Sequence, residues 1–388
     1  MNKLQEKAES LELGIYVHVP FCARSCDFCH FYQEPPQRAE LERYLDGMDA
    51  AFERDALPRL ATTAFWGGGT PGLLTTSDLE RLGQAMLRAN GGVAPSEWSV
   101  EMAPATVKRD KIRVLRDLGV NRISMGVQSF DGQLLEELGR IHSLEQVRRS
   151  IDLLHEEGFA NFNLDLIFAI PGQSHDQWRS DLQAAIAARP AHISTYCLTF
   201  EEDTALWLRL QKGQVSKTSP EEEARYFEIA REVLGEAGYA QYEVSNFAQP
   251  GRLCRHNLHT WRMQEWVGYG PSASSQFGLR RWTEPHSLEE WLAGLQVGDR
   301  KLAEDVPLDD DMLAEDFLVF GLRMNDGVDL SEWKHRFPGA NLTGWPTFLD
   351  QLLQEGLAEQ VGSILRLTDS GRLVADRIGE EILSLPQR

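Results

Sequence analysis

Six short runs rich in β-branched and aromatic residues recur along the first half of the chain, and a stretch with helical periodicity follows each. The runs are IYVHV (15–19), TTAFWGG (62–68), EWSVEM (97–102), RISMGVQS (122–129), NFNLDLIFAI (161–170) and HISTYCLT (192–199). Residues 39–57 carry Leu41, Leu45, Met48 and Phe52 at spacings of three and four, and Leu79, Leu82, Met86 and Leu87 repeat the pattern. A third helix is expected over 106–118, capped by Thr106 and ended by Gly119. Others are expected over 143–157, closed by Gly158, over 175–188, and over 219–237, closed by Gly238. Parallel strands need crossover connections, so this alternation predicts βαβ units. Six units fall short of a closed eight-stranded barrel, and the expected architecture is an α/β fold built on a partial (β/α)6 TIM-like barrel.

Beyond position 300 the pattern changes. Helices are expected at 308–323 and 345–355, followed by a small β pair in LAEQVGSILRL and a last helix from Thr368. This predicts a smaller, mostly helical, winged-helix-like domain over 300–388, next to a larger unit over 1–290. Winged helices often bind DNA, but acidic side chains outnumber basic ones in this segment, so packing or partner docking is the expected role.

With 388 residues the chain can bury a large core without covalent staples. Its formal charge of −20, from 59 acidic and 39 basic residues, repels a phosphate backbone and argues against nucleic acid or anionic membrane as partner. The opening MNKLQEKAESLELG is polar, and no apolar run is long enough to span a bilayer, so a cytoplasmic location is expected. In that reducing compartment, five unevenly spaced cysteines point to metal ligation or redox chemistry instead of disulfides.

In barrels of this kind reactive groups gather at the carboxyl ends of the strands. Here the first strand delivers Cys22, Cys26 and Cys29, and the second delivers GGGTP (67–71). The third ends at Glu101, the fourth at Gln128, the fifth carries Asp165, and the sixth leads to Thr199. Three thiolates could hold zinc with His18 or His30 as fourth ligand, or three irons of a 4Fe-4S cluster with one iron open. The glycine run lets backbone groups approach a ligand closely, and it is also what a flexible turn looks like. GYGPSA (268–273) imitates a dinucleotide fingerprint but does not lie between a strand and a helix.

The pairing of C-x3-C-x2-C after the first strand with GGGTP after the second resembles the radical S-adenosylmethionine (SAM) superfamily. The series YVHVPFC, FWGGGTP, GVNRISMGVQSF, LGRIHS, NLDLIFAIPGQ, ISTYCLTFEEDT, YEVSNFA and RHNLHTW is similar to the coproporphyrinogen III oxidase-like group over nearly the whole chain. Dehydrogenases of that group carry a further cysteine two residues after the third, where this chain has Phe31. That Cys-x-Phe pattern, together with YEVSNFA and HNLHTW, resembles the HemW heme-chaperone branch.

The resemblance implies a cluster on Cys22, Cys26 and Cys29 with SAM as the outside ligand. Tyr16 and Phe28 would flank the cofactor, Gly68, Gly69 and Thr70 line its methionine part, and Glu101 contact its ribose. Gln128, Arg140, Asp165 and Thr199 would complete the pocket, with His18 and His142 organising the same side. Read singly, Arg140 could instead pair with Glu136 or Glu137, while Asp165 inside an apolar run needs a buried partner.

For heme the resemblance points to an HNxxYW motif, matched by His256, Asn257 and Trp261, with Thr260 at the tyrosine position and Cys254 nearby. The implied partners are heme, an acceptor hemoprotein such as a respiratory component, and an external electron donor, with the cluster gating transfer or homodimerisation. The rival activity within the group is oxygen-independent coproporphyrinogen III dehydrogenation.

Overall fold

A computed structural model describes residues 11–297 and 301–385; the first ten residues of the polar opening segment lie outside them. The order is β1 (Leu13–Val19), α1 (Arg38–Arg54), β2 (Thr63–Gly68), α2 (Thr76–Ala89), β3 (Glu97–Met102), α3 (Arg109–Leu118), β4 (Arg122–Gln128), α4 (Gly132–Glu137), α5 (Leu144–Glu156), β5 (Phe162–Phe168), α6 (His175–Ala187) and β6 (His192–Cys197). Then come α7 (Ala205–Gln211), α8 (Pro220–Glu236), β7 (Ala240–Glu243), β8 (Asn246–Ala248), α9 (Arg255–Trp261), β9 (Glu265–Tyr269), β10 (Ser274–Phe277), β11 (Arg280–Thr283), α10 (Leu288–Val297) and β12 (Glu304–Pro307).

All six expected strands form, and β1 to β6 pair in parallel in sequence order. The sheet is wider than expected. Strand β9 joins β1 as a seventh parallel strand, and β10, β11 and β12 extend that side antiparallel, while β8 and β7 extend the other beyond β6. The 12 strands do not close, since the order runs from β12 at one margin to β7 at the other.

The period-2 alternation decides what each face carries. Outward-facing Ile15, Val17, Trp66, Trp98, Val100, Ile123, Met125, Leu164 and Ile193 are fully buried under the helices, with the Trp66 and Trp98 rings edge to face at 5.2 Å. Most inward-facing positions on β3 to β6 are polar: Glu97, Ser99 and Glu101, Arg122 and Ser124, Asn163 and Asp165, His192 and Ser194. Such a face suits a hollow that holds a polar ligand.

One helix start differs from expectation. Pro104 opens a 3-10 turn over Pro104–Thr106, in which the Thr106 hydroxyl bonds back to the Ala103 carbonyl at 2.8 Å, so α3 begins only after Lys108. Gly119 ends that helix in the left-handed region, as expected.

The C-terminal segment has α11 (Asp310–Gly321), β13 (Val328–Asp329), α12 (Leu330–Arg336), α13 (Trp345–Gln354), β14 (Ala358–Val361), β15 (Ile364–Leu367), α14 (Asp369–Arg372) and α15 (Ala375–Leu383). The last expected helix is thus interrupted after a single turn. Leu318, Leu322, Leu365, Leu367 and Ile382 form a separate core there, and β13 adds a third strand to the expected pair in a winged-helix-like arrangement. None of the described helices is long and apolar enough to cross a membrane.

Candidate metal and cofactor site

The cysteine loop is closed at its neck by backbone bonds. The Cys22 N–H donates to the Glu34 carbonyl at 3.1 Å, and the Glu34 N–H donates to the Pro20 carbonyl at 2.7 Å. Within the loop, Cys29 N–H reaches the Cys26 carbonyl at 3.1 Å in a tight turn. Its far side rests on a small apolar cluster, where Phe28 packs with Leu134, Leu138, Ile167 and Leu206. Asp27 fastens it further, donating N–H to Leu138 at 3.1 Å and accepting from Leu206 N–H at 2.7 Å.

The glycine run is stitched to this loop. Gly69 N–H donates to the Val19 carbonyl at 3.0 Å and Thr70 N–H to the Phe21 carbonyl at 2.8 Å, which leaves the Thr70 hydroxyl 3.5 Å from Cys22 Sγ. Here glycine is needed for packing: Gly68 has φ +89°, and a β-carbon there would strike the His18 ring, while one on Gly67 would meet the Glu101 carboxylate at 2.7 Å.

Each cysteine sulfur meets a different polar side chain: Cys22 meets Thr70, Cys26 meets Arg140 Nη1 at 3.0 Å, and Cys29 meets Gln33 Nε2 at 2.7 Å. Burial pushes the Cys29 thiol up to about 11, and the Cys22 thiol upward too, with the neighbouring cysteines adding to both shifts. Iron ligation reverses this bias, because a metal binds the thiolate. Among the described residues no three His, Cys, Asp or Glu side chains converge on one ion. A four-iron cube asks for wider spacing, since each sulfur takes a different iron.

Arg140 does not pair with its own helix. Its Nη2 donates to the Gly126 carbonyl at 2.5 Å, and Glu137 pairs with Arg209 instead. Gln128 sits at φ +69°, and its amide and the Arg140 guanidinium meet over Gly126.

On the inward face one residue from each of β1 to β6 stays partly or well exposed: Tyr16, Phe65, Glu101, Gly126, Asp165 and Tyr196. Below them Ser99, Ser124, Asn163 and Ser194 are buried, so exposure on this face is confined to the cysteine end. Asp165 has the buried partners its position demands, accepting from Asn163 Nδ2 at 2.8 Å and Ser124 Oγ at 3.2 Å. Withdrawal from water, followed by repulsion from Asp165, pushes Glu101 up to about 8; a hydrogen bond from the Gly68 N–H works against this. The Tyr16 hydroxyl meets His18 Nδ1 at 3.1 Å, and burial pushes His18 down to about 4. Thr199 is exposed just past β6.

His256 lies at the opposite, amino-terminal end of the strands. It is on α9, with Nδ1 3.0 Å from Thr63 Oγ1, its ring stacked on Phe65 and its backbone N–H donating to Glu97 at 2.8 Å. Burial pushes it down to about 3. Cys254 is buried beside Glu97, and Trp261 packs against Phe320 of α11 under the Arg323 guanidinium. The motif helix therefore plugs the base of the sheet and joins it to the C-terminal segment.

Residues 16–185 match the family model described as the radical SAM superfamily, and residues 308–374 match the HemN C-terminal domain. The heme chaperone HemW of Lactococcus lactis is 30% identical, with 95% of this chain and 96% of that protein aligned. That of Mycobacterium tuberculosis is 33% identical over 95% and 94%.

The chain belongs to the HemW family of the radical SAM superfamily.

The coproporphyrinogen III oxidase HemN of Escherichia coli shares its fold, with a TM-score of 0.83 over 98% of this chain and 92% of that one at 23% identity. Membership of the radical SAM superfamily implies a 4Fe-4S cluster and SAM, and the residues present fit both. Three half-buried cysteines stand beside a hollow rimmed by carboxylates, an amide, a guanidinium and an aromatic ring. Sequence reasoning overlooked Gln33 and Arg122. The period of β4 could have revealed Arg122, which shares the inward face with Ser124; no periodic signal marks Gln33.

Proposed function

We propose that the chain is a heme chaperone with a radical SAM core, which binds heme and passes it to an acceptor hemoprotein, a respiratory component being one candidate. Cys22, Cys26 and Cys29 hold the cluster. Tyr16, Phe28, Gly68, Gly69, Thr70, Glu101, Gln128, Arg140, Asp165 and Thr199 form the SAM pocket. The large unit over 1–290 carries this site, and the smaller domain over 300–388 docks on its base.

The observation that carries the cluster reading is the double backbone stitch between the cysteine loop and the glycine run, which keeps the thiols beside the hollow. Arg140 and Thr70 orient polar hydrogens toward the sulfurs, and Glu101 and Asp165 offer acceptors for the hydroxyl and amino groups of a nucleoside-containing ligand. When bound, the cluster and SAM supply one-electron reductive cleavage chemistry, with the electron coming from an external donor. The heme reading rests on the HemW relatives and on Phe31, which is 66% exposed where a dehydrogenase has its further cysteine. Because His256 is engaged with Thr63 and Phe65 inside the base, heme ligation by it needs α9 to leave that position.

The test is anaerobic reconstitution followed by iron, sulfide and heme counts on one sample. Expected are about four irons and four sulfides per chain, and a Soret shift on adding hemin. A loaded protein that leaves the hemin spectrum unchanged, yet makes protoporphyrinogen from coproporphyrinogen with SAM and reductant, would overturn the chaperone reading.

A further inference from the structure

Cys29 differs from the other two cysteines in the origin of its hydrogen bonds. Thr70 and Arg140 belong to the proposed SAM pocket, whereas the donor to Cys29 is Gln33, four residues along the same loop, with Nε2 2.7 Å from Sγ. The Phe31 backbone N–H reaches the same sulfur. The amide orientation follows from chemistry. A metal-bound thiolate can only accept, so the NH2 end must face it.

Gln33 is fixed from both sides. The Tyr32 carbonyl lies 3.3 Å from His18 Nε2, and the Tyr32 hydroxyl donates to Glu34 while accepting from the Leu288 N–H at 2.7 Å. Glu34 in turn is bonded to Pro20 and Cys22 at the neck of the loop. The Gln33 Oε1 atom is buried and has no partner among the described residues. An acceptor left unsatisfied in the interior is a cost to the fold, and the bond to Cys29 is what the side chain gains in that position.

We propose that Gln33 is a positioning residue that tunes the cluster, an inference that rests on the cluster assignment above. Hydrogen bonds to cysteine sulfurs are among the levers a protein has on cluster potential. An N–H donor at Cys29 draws electron density from the sulfur and stabilises the more negative, reduced state. The Gln33 amide therefore raises the potential at which one electron enters from an external reductant.

The test uses the full chain, anaerobically reconstituted, without SAM or heme. The midpoint of the cluster couple is read by titration with dithionite, followed by absorbance and by the electron paramagnetic resonance signal of the reduced form. Gln33→Leu is expected to keep its iron and sulfide content and to move the midpoint to more negative potential. Gln33→Glu, which brings a carboxylate to the sulfur, should move it further. If Gln33→Leu does not load, Gln33→Glu is read alone, being of the same length and still polar. Loaded variants with the wild-type midpoint overturn this inference and leave the cluster assignment standing. A wild-type chain that takes up no iron overturns both.

Discussion

Gly69 donates its N–H to the Val19 carbonyl, and a β-carbon on Gly69 would stand 2.5 Å from that same oxygen. The approach that fastens the glycine run to the cysteine loop thus leaves no room for a methyl group. Gly69→Ala should cost about 1–3 kcal/mol through forced displacement. A lower melting temperature and a reduced iron content after reconstitution are expected together. Wild-type values for both would show that the two segments can separate harmlessly.

Backbone bonds anchor the cysteine loop at its neck and on its far side. Its neck is bonded through Cys22 and Glu34, and its far side through Asp27, while Arg209 approaches Asp27 at 3.9 Å and pairs with Glu137 at 2.6 Å. In the apo protein the Cys22 and Asp27 amides should exchange slowly with deuterium, and Arg209→Ala should speed exchange around Asp27 while leaving the neck protected. Uniformly fast exchange throughout the loop would mean that the metal, not the chain, gives it shape.

Glu101, raised to about 8 in the fold, has its ordinary value near 4.3 when unfolded. A group with a raised folded value contributes stability that is fully present below the unfolded value and is lost as pH rises toward 8. Glu101→Gln should therefore gain stability relative to wild type between pH 4.5 and 8, with a slope of at most about 1.4 kcal/mol per pH unit. Partial exposure keeps the real slope below that limit. Chemical unfolding of apo protein at several pH values checks it; parallel curves would refute it.

His18 and His142 are pushed down to about 4 and His256 to about 3, in each case chiefly by burial. Neutral in the fold and near 6.5 when unfolded, they contribute stability above pH 6.5 that is lost as pH falls toward 4. Melting temperature should fall steeply over that window. In His256→Gln the fall should be shallower.

Glu97 accepts from the backbone N–H groups of Arg255 at 3.0 Å and His256 at 2.8 Å, one with each carboxylate oxygen. A glutamine keeps only one acceptor, so Glu97→Gln should cost about 1–3 kcal/mol. It should also open α9 to trypsin at Arg252 or Arg255. Unchanged cleavage would mean that Trp261 and its contacts hold the helix unaided.

The six central strands were legible because burial on the outer face and polarity on the inner one write a period of two into the sequence. Strand direction put the cysteine loop, the glycine run, Glu101, Gln128 and Asp165 on one rim, while the roles expected of them came from the family resemblance. Strand β9 was not legible: EWVGY is short, partly exposed, and overlaps the misleading GYGPSA. The position of His256 was hidden for another reason. Motif order along a chain does not say to which end of a strand layer a later segment returns, and only the bonds to Thr63 and Glu97 reveal it. Gln33 was invisible because its role depends on a turn that brings a side chain back upon its own loop.

A sheet that stays open has two margins at which a foreign strand could be added, with aggregation as the result. Here each is obstructed by its own means. Along β7, the segment Arg323–Asn325 already occupies the hydrogen-bonding groups of Tyr242 and Val244. Along β12, the incoming backbone would meet Glu304 and Asp305 and then Pro307, which has no N–H to give. An unclosed architecture of this width thus carries a guard against strand addition at either margin without sealing itself into a ring.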